Sequence, residues 1–192
     1  NLNTMKTKTI SFNRTGVLNI DDNSANFFAI ILGSFLISLL AQISIPLPFS
    51  PVPITGQTIG VVLVGGILGA RRGSISVLAY IMEGAIGLPV FAGFKAGPQV
   101  LVGPTAGYIW GFVIAAFLIG YLAEKGYTEE PVKCLFSCLA ATTLILVLGT
   151  LYLGLFNMRM EQALVLGFYP FLVGDVIKSF ICASIISVLK KV

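Results

Sequence analysis

FYPFLVGDVIKSFICASIISVL, residues 168–189, is the stretch that decides how this chain folds. As an α-helix rising 1.5 Å per residue it measures roughly 33 Å, enough to cross a hydrocarbon core of about 30 Å. Yet it contains Asp175 and Lys178, three residues apart and so on one helix face. A charged side chain at membrane depth costs at least about 2.5 kcal/mol and normally faces a bundle interior or a water-filled cavity. A spanning helix with a charged face implies a polar pocket, and the rest of the chain reads as the scaffold that builds it.

Composition agrees with a membrane environment. Of the 192 residues 56% are hydrophobic and 10% charged, with a mean hydropathy of +0.95, whereas soluble domains carry roughly a quarter charged residues. At about 20 residues per crossing the chain has room for some five to seven helices and for no separate soluble domain. The net charge of +4 bears on orientation in the membrane, not on nucleic acid. Cys134, Cys138 and Cys182 all lie in apolar runs, and the chain has no His and no CxxC. They read as small buried hydrophobes, with no metal site, cofactor or disulfide framework expected. Residues 1–24 form a polar N-terminal arm without an apolar run and cleavage site, so no signal peptide is expected.

Residues 25–192 read as one all-α transmembrane domain of six helices. The first span runs from Asn26 to Ile45 without a charge, after Asp21, Asp22, Asn23 and Ser24, which suit a helix N-terminus. Ala25, Ala29 and Gly33 recur every four residues and form a small-residue stripe, for packing inside the chain or against a partner. Residues 46–58, PLPFSPVPITGQT, carry prolines at 46, 48, 51 and 53 and cannot continue a helix. This apolar, uncharged segment reads as a lid or a buried connector. The second span, Gln57 to Ala70, is short and glycine-rich and ends at Arg71-Arg72; the third, Ser74 to Phe91, holds Glu83 as its only charge. Gly87-Leu88-Pro89 should stop the third helix, and residues 92–99 lead into the fourth, Gly103 to Ala123. A polar connector, Glu124 to Lys133, precedes the fifth span, Cys134 to Phe156; a loop with Arg159 and Glu161 precedes the sixth.

Six spans place Lys6, Lys8, Arg14, Arg71, Arg72, Lys125, Lys133, Lys190 and Lys191 on one side and only Lys95 and Arg159 on the other. The positive side is cytoplasmic, so both termini lie there, and the proline segment and the Lys95 loop face outside. Counting turns from the outer ends puts Asp175, Lys178, Tyr80, Glu83, Thr105 and Tyr108 at one depth, with Thr55, Gln57 and Thr58 at the mouth of the second span. The groups converge on one pocket in the outer half of the bundle. Asp175 and Lys178 serve either as a ligand site or as an internal ion pair fixing helix packing. Tyr80 and Tyr108 fit the pocket or an interfacial aromatic belt.

Several chemistries are excluded. There is no GxxxxGK[ST] loop, so the chain has no ATPase motif of its own, and without His there is no Ser/His/Asp or Cys/His set. The chain reads as a binding or transport protein and not an enzyme. No two-fold internal repeat is visible, which disfavours an inverted-repeat transporter.

Four segments, residues 46–58, 87–93, 103–108 and 170–178, together resemble the BioY family, the biotin-specific S components of energy-coupling factor (ECF) transporters. The resemblance runs from the first span to the last in the family's order. It implies a multi-pass subunit of a prokaryotic plasma membrane that captures biotin from outside as its transported ligand. Its partners would be a transmembrane coupling subunit and two cytoplasmic ATPase subunits. It also implies that small residues of the first helix dock on the coupling subunit, where Ala25, Ala29 and Gly33 match an AxxxA-like pattern with Gly in third place. Biotin offers two ureido N–H donors, a ureido oxygen, an apolar bicycle and a carboxylate. Asp175 would accept from a ureido N–H; Lys178, or Lys95 for the carboxylate, would donate; Tyr80 and Tyr108 would wall the bicycle; Gln57 and Thr105 would add neutral hydrogen bonds. Another vitamin, or a proton-coupled secondary transporter using Glu83 or Asp175, are the alternatives.

Overall fold

The computed structural model describes residues 11–12, 18–19, 23–156 and 158–190. The N-terminal arm read at 1–24 lies largely outside the described residues; within it, β1 (Ser11–Phe12) pairs antiparallel with β2 (Leu18–Asn19). Among the described residues seven α-helices follow: α1 Asn23–Ala41, α2 Gln57–Leu68, α3 Ala70–Ala85, α4 Ala106–Glu124, α5 Pro131–Phe156, α6 Met160–Gly167 and α7 Tyr169–Leu189. The protein is mostly helical, and α1, α4, α5 and α7 are each long and apolar enough to cross a membrane. α2 is as apolar but has 12 residues, about 18 Å of helix.

α4 lies at the centre, against α2, α3 and α5; α7 packs on α5 and α2, and α1 on α3 and α2. Ile37, Val61, Val77, Ile119, Ile145 and Ile186 meet there, fully buried. The three cysteines are free thiols buried in this core. Large apolar side chains also cover the outer faces, such as Phe27, Phe28 and Phe35 of α1 and Val173, Ile177 and Phe180 of α7. In water that surface would be prohibitive; in a bilayer it is the solvent-facing side.

α2 and α3 meet at a corner one residue long. Gly69 turns the chain with φ 85° and ψ 176°, a conformation open in practice only to glycine. α4 approaches so closely here that a Cβ on Gly120 would lie 2.4 Å from the backbone of Gly69 and Ala70. One helical turn on, Glu124 accepts the Ala70 N–H at 2.8 Å, its carboxylate sitting at the positive end of α3. The corner therefore falls earlier than expected: Arg71 and Arg72 do not end the second helix but open the third. α3 in turn ends at Ala85 and not near Phe91, because Gly87 adopts φ 107° and the chain leaves the helix there.

α6 departs further from the sequence reading, which placed a loop around Arg159 and Glu161. Residues Met160–Gly167 form two turns, with Glu161 in the first turn and Ala163 and Gly167 buried against the bundle. Within the small-residue stripe on α1, Gly33 is buried, and a Cβ there would meet Ser76 Oγ of α3 at 2.7 Å and Val64 of α2 at 3.1 Å. Ala29 is partly buried against the same core; Ala25 is also partly buried.

Candidate functional site

One cavity, enclosing with its mouth about 730 Å³, is bounded by α2, α4, α5, α7 and the two loops joining α1 to α2 and α3 to α4. Its floor and one wall are apolar, from Ile109 and Phe112 of α4, Ile145 and Leu146 of α5, and Phe171 of α7. Asp175 and Lys178 face into it from α7, Gln57 and Thr58 from the start of α2, and Thr105 and Lys95 from the α3–α4 loop.

Asp175 is held by a hydroxyl clamp from α5. Thr142 donates to its Oδ2 at 2.9 Å and Thr143 to the same atom at 3.3 Å. Thr142 has one proton; a charged acceptor at that distance outcompetes its other acceptor, Leu139 O at 3.2 Å. Ser179, 2.9 Å from Thr142, is then the donor in that pair, and a chain of donors runs from Ser179 through Thr142 to the carboxylate. Both clamp bonds fall on Oδ2, and no donor among the described residues reaches Oδ1. Nor does any pair Lys178 with Asp175 within 4.0 Å, so the internal ion pair weighed from sequence is not what fixes these helices. An acceptor and a cation thus line one apolar cavity, near enough to feel each other's charge but without a direct hydrogen bond between them.

Tyr108 forms a wall. It is 6% exposed, and its hydroxyl donates to Gly167 O at 2.8 Å, tying α4 to the end of α6. Gln57 Nε2 donates to Tyr80 Oη at 2.5 Å, and the Tyr80 ring meets Phe91 edge-on at 5.5 Å. Tyr80 thus stands behind the cavity, bracing two lining residues without lining it. Glu83 is not at the cavity either: it faces α1, where Ser34 Oγ donates to it at 2.8 Å. Three residues apart on one helix, Tyr80 points to α2 while Glu83 points to α1.

Both loops are pinned. The proline segment is closed by β3 (Ser44–Ile45) pairing with β4 (Ile54–Thr55), and Ser50 Oγ donates to Leu166 O of α6 at 2.6 Å. Lys95 sits on a turn closed by Phe91 N–H donating to Lys95 O at 3.1 Å. Gln42, just beyond α1, brackets that turn: its Nε2 donates to Val90 O at 3.3 Å and its Oε1 accepts from Phe94 N–H at 3.0 Å. Thr142, Thr143, Ser50 and Gln42 escaped the sequence reading. The adjacent threonines midway along the largely apolar α5 were the one signal available for the first two.

The BioY family model matches residues 8–192. The chain belongs to the BioY family. Among its relatives are the biotin transporter BioY of Thermotoga maritima, 46% identical over 81% of this chain and 90% of that one, and the biotin transporter BioY of Rhizobium etli, 38% identical over 83% and 87%. A crystal structure at 2.1 Å of the S-component for biotin from an ECF-type ABC transporter superposes with a TM-score of 0.80 at 28% identity, covering 88% of this chain and 92% of that one. In this BioY-family chain the four segments that carry the resemblance all reach the cavity: Val52 to Thr58, Phe91 and Ala92, Thr105 and Tyr108, and Phe171 to Lys178 each contribute lining residues.

Proposed function

We propose that this chain is the biotin-binding S component of an ECF-type ABC importer, a transport subunit and not an enzyme. The observation that carries the reading is that Asp175, with Oδ1 unclaimed, and Lys178 both line an apolar cavity in a BioY-family chain. Asp175 Oδ1 accepts a ureido N–H, and Lys178 donates to the ureido oxygen or, with Lys95, to the carboxylate. Ile109, Phe112 and Tyr108 enclose the bicycle, with Gln57 and Thr105 as neutral partners. Calorimetric titration of purified protein in detergent is the direct test, since Trp110 places its indole N–H on Leu101 O at 3.3 Å and does not line the cavity. Nanomolar binding, about −12 kcal/mol at 1 nM, is expected; no heat up to tens of micromolar returns the substrate to unknown.

The six spans are α1, α2, α3, α4, α5 and α7, with residues 25–192 as one domain in a prokaryotic plasma membrane. The Lys/Arg distribution supports cytoplasmic termini and puts the two cavity-roofing loops outside, so that biotin enters from the outer face. A coupling subunit docks on α1 through Ala25 and Ala29, with Gly33 beneath them in contact with α3, and two ATPase subunits complete the transporter.

Two predictions separate roof from scaffold. Ser50→Ala removes the tie of the proline segment to Leu166 of α6; biotin should dissociate several-fold faster in stopped-flow chase, and an unchanged rate would remove that segment from the gate. Glu83→Gln keeps an acceptor for Ser34, so affinity should stay within about threefold, under ~0.7 kcal/mol. A larger loss by calorimetry would return Glu83 to the site.

A further inference from the structure

Hydroxyls inside the helices of this protein mostly satisfy themselves on the carbonyl one turn back: Ser38 on Ser34 O, Ser74 on Ala70 O, Ser76 on Arg72 O and Ser137 on Lys133 O. Thr58 does not. It stands in the first turn of α2, where no helical carbonyl lies beneath it, and its buried Oγ1 has no hydrogen-bond partner among the described residues. The residue is 9% exposed and lines the cavity. A buried hydroxyl in that state carries an unmet desolvation cost, and buried polar atoms in native proteins are nearly always paired.

Among the described residues the backbone N–H groups of Gln57 and Thr58 find no acceptor either. The first amides of this turn to find a carbonyl are those of Ile59 and Gly60, both on Gly56 O at 3.0 and 3.3 Å. The residue before α2 is Gly56, which has no side chain to cap the amides of Gln57 and Thr58. The positive end of the helix dipole points the same way. A free hydroxyl proton, orphan amides and a positive helix end all ask for an oxygen acceptor.

We propose that Thr58 is a ligand-binding residue, its hydroxyl and the first-turn amides of α2 holding an oxygen of the bound molecule. The inference rests on the cavity being the biotin site and adds a specificity element to it. α7 presents an acceptor, Asp175, to the ligand's N–H groups, and α2 presents donors to its oxygens. In biotin those oxygens are the ureido carbonyl and the carboxylate. The pairing disfavours ligands that place a donor or an apolar group opposite α2.

The experiment is calorimetric binding to full-length protein in detergent, for wild type, Thr58→Val and Thr58→Ser. Valine keeps the shape and removes the hydroxyl; biotin affinity should fall at least tenfold, while serine should stay within threefold. The ligand-free Tm of Thr58→Val should equal or exceed wild type, because the lost hydroxyl had no partner in the fold. Repeating the pair with an analogue whose side chain lacks the carboxyl group and with the thioureido analogue assigns the oxygen: the Val/wild-type ratio collapses for whichever analogue lacks the oxygen that Thr58 holds. The proposal is overturned if Thr58→Val binds biotin within twofold of wild type, if Thr58→Ser is as weak as Thr58→Val, or if the full ratio persists with both analogues. Failure of wild type to bind biotin would sink the biotin reading separately. The ligand-free Tm then still decides: a drop in Thr58→Val means that the hydroxyl serves the fold and overturns the proposal, and an equal or higher Tm upholds an orphan donor awaiting a ligand.

Discussion

Asp175→Asn should weaken biotin binding by about ten- to a hundredfold and leave the ligand-free protein close to wild type in Tm. The reason lies in the clamp. Oδ2 of Asp175 receives two hydroxyl donors, from Thr142 and Thr143. In the asparagine variant only the carbonyl oxygen accepts, so that oxygen must turn to the threonines and the NH2 group must turn to the cavity. A donor then faces the ureido N–H donor. The loss combines a hydrogen bond to a charged group, about 1.5–3 kcal/mol, with an unfavourable juxtaposition, and 1.4 kcal/mol is already tenfold. The fold hardly changes, since the clamp keeps an acceptor of the same size. Asp175→Ala would be a poorer probe, because it strands the Thr142 and Thr143 hydroxyls in a buried site. Affinity within twofold of wild type in Asp175→Asn, measured by calorimetry, would remove Asp175 from the binding site.

The same residue shows why part of the site was legible in sequence. Asp175 and Lys178 announce themselves because a charge in an apolar span has few tolerable explanations, and the proline segment because prolines cannot continue a helix. Facing direction was harder to read. In a soluble helix polarity marks the outside, but here lipid and core are equally apolar, so the outward Phe35 and the inward Ile37 on α1 look alike. Hence Glu83, at the right depth, was assigned to the pocket although its helix turns it to Ser34, and the stripe with Gly33 could be read for packing inside the chain or against a partner. α6 was missed for another reason. Eight residues form barely two turns, and their stability comes from Ala163 and Gly167 packing on the bundle, a tertiary effect that propensity cannot show. The corner at Gly69 was hidden among neighbouring glycines; its positive φ and the close approach of Gly120 distinguish it only in the structure.

Gly149→Val should abolish biotin binding up to tens of micromolar. Gly149 on α5 is the surface on which the Tyr108 ring rests: an added Cβ would lie 2.2–2.3 Å from three ring atoms. The ring's hydroxyl is anchored to Gly167 O, and α4 continues behind it, so the open direction is the cavity. A larger residue at 149 therefore drives the ring into ligand space and breaks the anchor. Overpacking costs about 1–3 kcal/mol of stability, and the lost hydrogen bond about 1 kcal/mol more; a ring lying where the bicycle must go removes binding altogether. Gly149→Ala should give an intermediate loss, above tenfold. Tyr108→Phe is the control that separates ring position from hydroxyl: it should lower stability by about 1 kcal/mol and keep affinity within about threefold. Wild-type affinity in Gly149→Val would mean that Tyr108 does not bound the binding site. A Tyr108→Phe loss as large as that of Gly149→Val would mean that the hydroxyl, and not the seat of the ring, is what the ligand depends on. The glycine earns its place as the complement of a tyrosine: a bare patch on one helix lets an aromatic wall on the next stand clear of the ligand.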